Sequence, residues 1–290
     1  MNVTSSAVDE LVRLALAEDI GSGDITTSAL VDPQCRGQAK VIAKQDLVIA
    51  GFRPFARVFE LLNADTECVF HKKEGSFVNE GDTVAELRGP FNGLLTGERT
   101  ALNFLQRLSG IATLTHCYAE KINSFRAVLL DTRKTAPGWR VLEKEAVRLG
   151  GGTNHRTGLF DGVLIKENHI AASGGIRPAV EKAKKIKKPL LNIEVEVKNL
   201  EELREALDAQ PHLIMLDNMD LAEMKKAVEI TDGRVLLEAS GNVTLESIEP
   251  VAATGVDYIS VGAITHSARA VDLSMIICVC VGETDDASCS

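Results

Sequence analysis

The 290-residue chain carries no Cys-x-x-Cys pair, no apolar run of membrane-spanning length and no excess of basic charge. Each absence removes a class of protein. The six cysteines, at 35, 68, 117, 278, 280 and 289, have no histidine partner at zinc spacing, which argues against a cysteine-based zinc motif. Scattered thiols in an enzyme-sized chain fit a reduced compartment, and a cytoplasmic location is expected. Cys278 and Cys280 alternate within an apolar run and read as packing residues. Met1 to Glu18 lacks a basic region followed by an apolar core, so no secretory signal is expected, and no apolar run is long enough to span a bilayer. A net charge of −9 argues against general nucleic-acid binding, which needs a basic footprint. There is no low-complexity segment, no Ser-His-Asp order and no obvious thiolate nucleophile.

What is present is a periodic alternation in the second half. Six short apolar runs, Val128–Leu130, Val163–Ile165, Leu190–Val195, Leu213–Leu216, Val235–Leu237 and Tyr258–Val261, are separated by helix-like segments at about 139–149, 177–187, 200–209, 220–230 and 245–253. Each run ends in residues that bind anions, metals or phosphates: Arg133 with Lys134, Lys166, Glu196, Asp217, Ser240 and Gly262. This predicts an α/β chain with an incomplete parallel β/α barrel of about six units, its chemistry at the C-terminal strand ends. The hydrophobic fraction of 45% supplies a sizeable core.

The first part of the chain reads differently. Val8, Leu11, Val12, Leu14, Ala15 and Leu16 recur at helical spacing behind a possible Ser5 or Ser6 cap. Ala39–Ala43 and Leu47–Ala50 read as strands, Phe55–Leu62 as a helix, and residues 75–87 as a hairpin around Gly81-Asp82. Gly97–Ile122 is a long amphipathic stretch that Gly110 divides into two possible helices. The expected organisation is an N-terminal α+β, sandwich-like domain over 1–105, and a catalytic barrel over 106–269. The segment 270–290 is expected to pack back on the first domain through the apolar run Met275–Val281, with the polar end Glu283–Ser290 expected to fray.

The acidic chain has a basic window. From Asp131 to His169 there are seven Lys and Arg against five Asp and Glu, a local balance of +2, which suggests a focused anion pocket. Arg133 and Lys134 enter the pocket together if the chain turns after the strand and point apart if the strand continues. Arg supplies a planar fork and Lys a point charge. The loop Gly150–Arg156 delivers His155 and Arg156 behind three glycines that allow close backbone approach. Lys166 follows an apolar run, which places it toward a pocket or at a surface strand end. Glu194 and Glu196 share one face of their strand, toward the barrel interior, and need cations, a metal or an ion pair there. Glu196 and Asp217 offer oxygen ligands for Mg²⁺ held through a phosphate substrate, or a grip on sugar hydroxyls. The small residues after the last two strands leave backbone N–H groups open, so Ser240, Gly241, Asn242, Gly262, Ala263 and His266 read as a phosphate cup. Many cations beside paired carboxylates and a phosphate cup fit phosphoribosyl transfer.

Asp131–Gly138, Gly150–Arg156, Val163–His169, Glu194–Val197, Leu216–Asn218, Glu238–Val243 and Ser260–Ala263 resemble the quinolinate phosphoribosyltransferase family, the carboxylating nicotinate-nucleotide pyrophosphorylases. Gly97–Asn103 and Leu108–Ile111 match as well, and the similarity runs from about Glu18 to Met275. The resemblance implies transfer of phosphoribosyl from PRPP to quinolinate with loss of CO₂ and pyrophosphate, giving nicotinate mononucleotide in NAD biosynthesis. It implies a Mg²⁺-dependent homodimer in which Arg99 reaches the neighbouring subunit's site. Arg133, His155, Arg156 and Lys166 would then grip the quinolinate carboxylates, with Lys134 and Lys166 near PRPP. Glu196 and Asp217 would bind ribose and metal, and Ser240, Gly241, Asn242, Gly262, Ala263 and His266 the phosphate. The chain departs from the family pattern at Glu167, where Asp is more common, at Trp139, where an aliphatic residue is more common, and in the cysteine-containing tail. Three rival readings stay open: a PRPP-dependent transferase with another acceptor, a Schiff-base lyase using Lys166, and a catalytically silent scaffold.

Overall fold

A computed structural model describes residues 3–186 and 191–280. In chain order the elements begin α1 (Val3–Ile20), α2 (Ile25–Leu30), β1 (Arg36–Ala43), β2 (Leu47–Val48), α3 (Phe52–Leu62), β3 (Glu67–Phe70), β4 (Phe77–Val78), β5 (Thr83–Pro90), α4 (Phe91–Ile122) and β6 (Val128–Leu130). They continue α5 (Arg140–Leu149), β7 (Val163–Ile165), α6 (Glu167–Ser173), α7 (Ile176–Lys184), β8 (Ile193–Val197), α8 (Leu200–Ala209), β9 (Leu213–Asp217), α9 (Leu221–Thr231), β10 (Leu236–Ser240), α10 (Ile248–Ala252), β11 (Tyr258–Ser260), α11 (Ala263–His266) and β12 (Leu273–Val279). The chain folds into two compact units. One comprises residues 1–114, 137–150 and 268–290, the other residues 115–136 and 151–267. No described helix is long and apolar enough to cross a membrane.

The first unit is built on an antiparallel sheet of order β12-β1-β5-β3. Central β1 alternates strictly, burying Gly37, Ala39, Val41 and Ala43, as a strand with one packed face requires. Against this unit's core α3 lays Phe52, Phe55, Val58 and Phe59, and Phe52 stacks on Phe70 with centroids 4.0 Å apart. β12 pairs with β1 from Gly37↔Val279 to Ala43↔Leu273.

Three local expectations change, and one strand was not foreseen. Residues 75–87 do not close on themselves: β4 pairs with β2, whereas β5 pairs with β1 and β3. The turn at Gly81 (φ +87°) therefore sends the chain from one sheet to another. β3 had no clear signal, because its Glu67-Cys-Val-Phe70 exposes alternate residues, among them Val69. α1 begins at Val3, which puts Ser5 and Ser6 inside it. α4 runs unbroken through Gly110. A methyl group there would overlap the Arg269 carbonyl oxygen, so this glycine serves a close chain approach and does not end the helix. The frayed end expected for Glu283–Ser290 and the residues Lys187–Leu190 lie outside the described residues.

α5 belongs to this first unit. Its Glu143 is fully buried and meets Arg107 Nη2 at 3.1 Å, while Arg107 Nη1 donates to the Ala268 carbonyl at 2.7 Å. Trp139 stacks on Phe104 with ring centroids 4.7 Å apart.

The second unit is a parallel sheet of order β6-β11-β10-β9-β8-β7. Short α6 and α11 were not apparent in the sequence. Asn199 caps α8 by accepting N–H donors from Glu201 and Glu202, and Asp220 and Glu223 form a capping box on α9. Strands β6 and β7 end the order, and no ladder joins them. The chain after Gly151 lies along the free edge of β6 instead. The Thr153 N–H donates to the Leu129 carbonyl at 2.8 Å, and the Asp131 N–H donates to the Thr153 carbonyl at 3.1 Å. The result is an incomplete β/α barrel with six strands among the described residues.

Candidate active site

Period-two alternation carries alternate residues of each parallel strand to one face. Leu164, Glu196, Met215, Asp217, Glu238, Ser240 and Ser260 reach a common cavity of about 680 Å³ at the C-terminal strand ends. Arg133, Lys134, His155, Arg156, Lys166, Gly241, Asn242, Gly262, Ala263 and His266 line the same cavity. Arg99 lies in the first unit, where it borders a smaller recess with Asp19, Asp24 and Thr96.

Arg133 and Lys134 enter together because the chain turns. β6 ends at Leu130, Thr132 Oγ1 accepts the Lys134 N–H at 3.0 Å, and the Thr135 N–H bonds back to the Arg133 carbonyl at 3.0 Å. Thr265 Oγ1 donates to the Lys134 carbonyl at 2.8 Å and fixes the turn. Burial lowers the proton affinity of Arg156, and the nearby Arg133 charge lowers it further. The Glu194 and Asp161 charges offset part of that effect, and both guanidinium groups border the cavity, where an anion would relieve their repulsion further.

In the same cavity, Glu196 Oε2 lies 3.4 Å from Lys166 Nζ, an open ion pair on the cavity wall. Asp217 Oδ1 accepts from Asn218 Nδ2 at 3.0 Å, and Asn218 Oδ1 accepts from Asn242 Nδ2 at 3.1 Å. Asn218 and Asn242 adopt left-handed φ of 54° and 50°, with Gly241 between the strand end and Asn242 at φ 104°. Side-chain amides that bond locally make this conformation tolerable for Asn. Ser260 Oγ donates to Ser240 Oγ at 3.0 Å, and at Gly262 a methyl would stand 2.9 Å from Lys134 Cδ and 3.2 Å from His266 Nε2. Small residues here bring the lysine and histidine close to open backbone N–H groups.

In the cavity wall and just behind it lies a cluster that the sequence revealed only in part. Glu194, 3% exposed, and Glu238, fully buried, flank His155 Nε2 at 2.9 and 3.4 Å. The interior position of Glu194 follows from its alternation with Glu196, but its partner is His155 rather than a Lys or Arg. Glu238 was not singled out. The available signal was a carboxylate within Leu237-Glu-Ala-Ser240, two residues before a cavity serine.

Burial opposes charge on His155, but the hydrogen bonds and charges of Glu194 and Glu238 outweigh it and push the ring up to about 10. Burial and the Glu238 carboxylate push Glu194 up to about 7, against the lowering contact with His155. A full imidazolium conflicts with the bond at Nδ1, which accepts the Arg156 N–H at 2.7 Å. A ring that carries its proton on Nε2 accommodates both contacts. The direction that stands for the cluster is retention of protons that solvated side chains would release.

The model of the quinolinate phosphoribosyl transferase C-terminal domain matches residues 111–276, and that of the N-terminal domain matches residues 24–109. The chain belongs to the quinolinate phosphoribosyltransferase family. Among relatives, it is 45% identical over 266 residues to a probable nicotinate-nucleotide pyrophosphorylase [carboxylating] of Bacillus subtilis, covering 92% of each chain. It is 42% identical to the chloroplastic enzyme of that name from Arabidopsis thaliana, covering 92% of this chain and 82% of the relative. The solved nicotinate-nucleotide pyrophosphorylase of Francisella tularensis superposes with a TM-score of 0.91 at 44% identity, covering 94% and 96% of the two chains. The quinolinate phosphoribosyltransferase match spans both units, so the cavity and the N-terminal sheet belong to one family architecture.

Proposed function

We propose that the chain transfers the phosphoribosyl group of PRPP to the nitrogen of quinolinate and releases pyrophosphate and CO₂, forming nicotinate mononucleotide for NAD biosynthesis. The observation that carries this reading is the convergence of Arg133 and Arg156, whose mutual repulsion suits a ligand with two adjacent carboxylates. Family membership supports it independently.

The cavity residues divide the work. Arg133, Arg156 and Lys166 hold the quinolinate carboxylates, and Lys134 neutralises the diphosphate side of PRPP. Ser240, Gly241, Asn242, Gly262, Ala263 and His266 receive the 5′-phosphate. Glu196 and Asp217 bind the ribose hydroxyls. As the bond from ribose to pyrophosphate lengthens, positive charge grows on the sugar, and the Glu196 carboxylate stabilises it. The quinolinate nitrogen attacks with its own lone pair, so no general base is required. The adjacent carboxylate then leaves as CO₂, the pyridinium ring accepts the electron pair, and a proton takes the vacated carbon.

Glu196 and Asp217 also fit a hard divalent cation, since both present carboxylate oxygens to the cavity and neither is locked into a buried ion pair. Mg²⁺ held by them together with PRPP would neutralise the charge gathering on the departing pyrophosphate. A homodimer in which Arg99 completes the neighbouring subunit's site accounts for an arginine of the first unit acting on a dicarboxylate. Lys166 is half-exposed and paired with Glu196, surroundings that suit anion binding better than carbonyl attack.

The test is an assay with PRPP and Mg²⁺ that follows pyrophosphate and CO₂, with quinolinate and nicotinate as alternative acceptors. Release of both products from quinolinate alone is expected. Pyrophosphate from nicotinate without CO₂ would replace this reading by a non-carboxylating transfer, and silence with both acceptors would overturn it.

A further inference from the structure

An arginine that grips a carboxylate must first be stilled. Its long stem samples many rotamers, and a ligand that has to arrest them loses affinity. Arg156 is arrested in advance. Its Nη1 donates to the Gly162 carbonyl at 2.9 Å. Its stem lies along the same residue, since a methyl built on Gly162 would stand 3.3 Å from Arg156 Cβ and 3.4 Å from Cδ. A guanidinium has five donors, so this contact leaves others for a ligand in the cavity that Arg156 lines.

The contact lasts only while residues 156–162 keep their turn, and Asp161 keeps it. Its Oδ2 accepts the Thr157 N–H at 2.7 Å, and its Oδ1 accepts the Gly158 N–H at 2.9 Å. The two backbone donors that follow Arg156 are thus tied to the residue that precedes Gly162, and the loop closes on itself. Phe160 folds back within the same turn, where its ring leaves no room for a methyl on Gly158. Asp161 is exposed and is not among the residues that line the cavity. Its charge nevertheless reaches Arg156, where it favours the protonated form. A negative charge beside an anion-binding arginine works against the anion, so charge alone gives Asp161 no use in binding.

We propose that Asp161 is a positioning residue for the acceptor: it closes the loop that seats Arg156 on Gly162, and so holds the guanidinium in its binding pose before the ligand arrives. The identity of that ligand, quinolinate, rests on the proposed reaction, whereas the seat itself does not.

Asp161→Ala separates geometry from charge, because the two predict opposite signs. On charge alone the variant binds quinolinate more tightly. With the seat lost, calorimetric titration should show binding about 3- to 10-fold weaker, the weight of one long side chain that the ligand must now order. KM for quinolinate should rise by a like factor while KM for PRPP and kcat stay within about 2-fold, the pattern of a contribution shared by ground and transition states. Asp161→Asn keeps one acceptor oxygen for the two N–H donors and should fall between. Unchanged or tighter quinolinate binding by Asp161→Ala overturns the proposal. The wild-type protein supplies a second readout by ¹⁵N NMR of the Arg156 Nε–H, assigned with Arg156→Lys. Its order parameter without ligand should lie above about 0.6, the boundary of flexible groups, and fall below it in Asp161→Ala. An Arg156 that is mobile in the free wild-type protein and stiffens only with quinolinate also overturns the proposal. Should the wild-type protein bind no quinolinate, the proposed reaction fails, and the free-state order of Arg156 still decides whether the seat exists.

Discussion

Gly241→Ala tests the phosphate cup at its tightest point. Gly241 has φ 104°, outside the usual range of an L-residue, and a methyl there would overlap the Asn218 amide. The backbone conformation alone costs about 1–3 kcal/mol for alanine. The overlap adds about 1–3 kcal/mol, because Asn218 is held by its own bonds to Asp217 and Asn242. Asn218 must move, and Asp217 Oδ1 loses its donor. We expect KM for PRPP to rise about 10- to 100-fold, as if about 1.4–2.7 kcal/mol of binding were lost, with a smaller effect on quinolinate affinity. Gly174→Ala is the control. Gly174 also has a positive φ, 89°, but a methyl there meets nothing, and it lies away from the cavity. It should lose stability and keep its KM. Steady-state kinetics with each substrate varied, beside thermal melts, reads both effects. If Gly241→Ala keeps wild-type KM for PRPP, or changes it no more than Gly174→Ala does, the cup is wrongly placed.

Other expectations are as concrete. Arg99→Ala and Glu196→Gln should each be nearly inactive, yet an equimolar mixture refolded together should recover about a quarter of wild-type activity, because half the dimers then carry one intact site. No recovery would refute a site shared between subunits. Arg107→Ala strips a partner from the fully buried Glu143 and should destabilise the chain by about 3 kcal/mol, seen as a lower denaturant midpoint with cavity ligand affinity retained in the folded fraction. For Asp161, burial acts to raise the carboxyl, but the Gly158 and Thr157 N–H donors outweigh it and hold it below 3.8. A depressed carboxylate stabilises above its unfolded value and loses that contribution as pH falls through the folded one. Hydrogen exchange at Thr157 and Gly158 should therefore accelerate below about pH 4 relative to β-sheet amides. Constant relative protection across that range would contradict the tether.

Much of the barrel was legible because a parallel strand leaves two marks at once, a short apolar run and a polar residue at its end. Asp217 and Lys166 carry both marks, so position and role could be read together. Glu238 carries only one, because its partner is a histidine some eighty residues away, and nothing local announces that pairing. The N-terminal sheet was less legible. The pairing of β4 with β2 depends on which way the chain leaves Gly81, and both routes satisfy the same alternation. Gly110 misled for a related reason. The sequence shows a helix breaker, whereas its meaning comes from the Arg269 carbonyl pressed against it from far along the chain.

The seam between β6 and β7 has a consequence for how such a protein can change. A closed ladder would bind every strand to two neighbours, and a substitution beside the active site would be felt around the ring. Here the segment carrying His155 and Arg156 meets the sheet's edge at Thr153 and is pinned through its side chains and loop amides to Asp131, Glu194 and Glu238. Acceptor-reading residues thus sit on a loop outside the strand ladders, so a change in the loop leaves the register of the six paired strands untouched. On the open side of the barrel, a change of acceptor preference therefore has to keep the loop's contacts with Asp131, Glu194 and Glu238, but not a strand ladder.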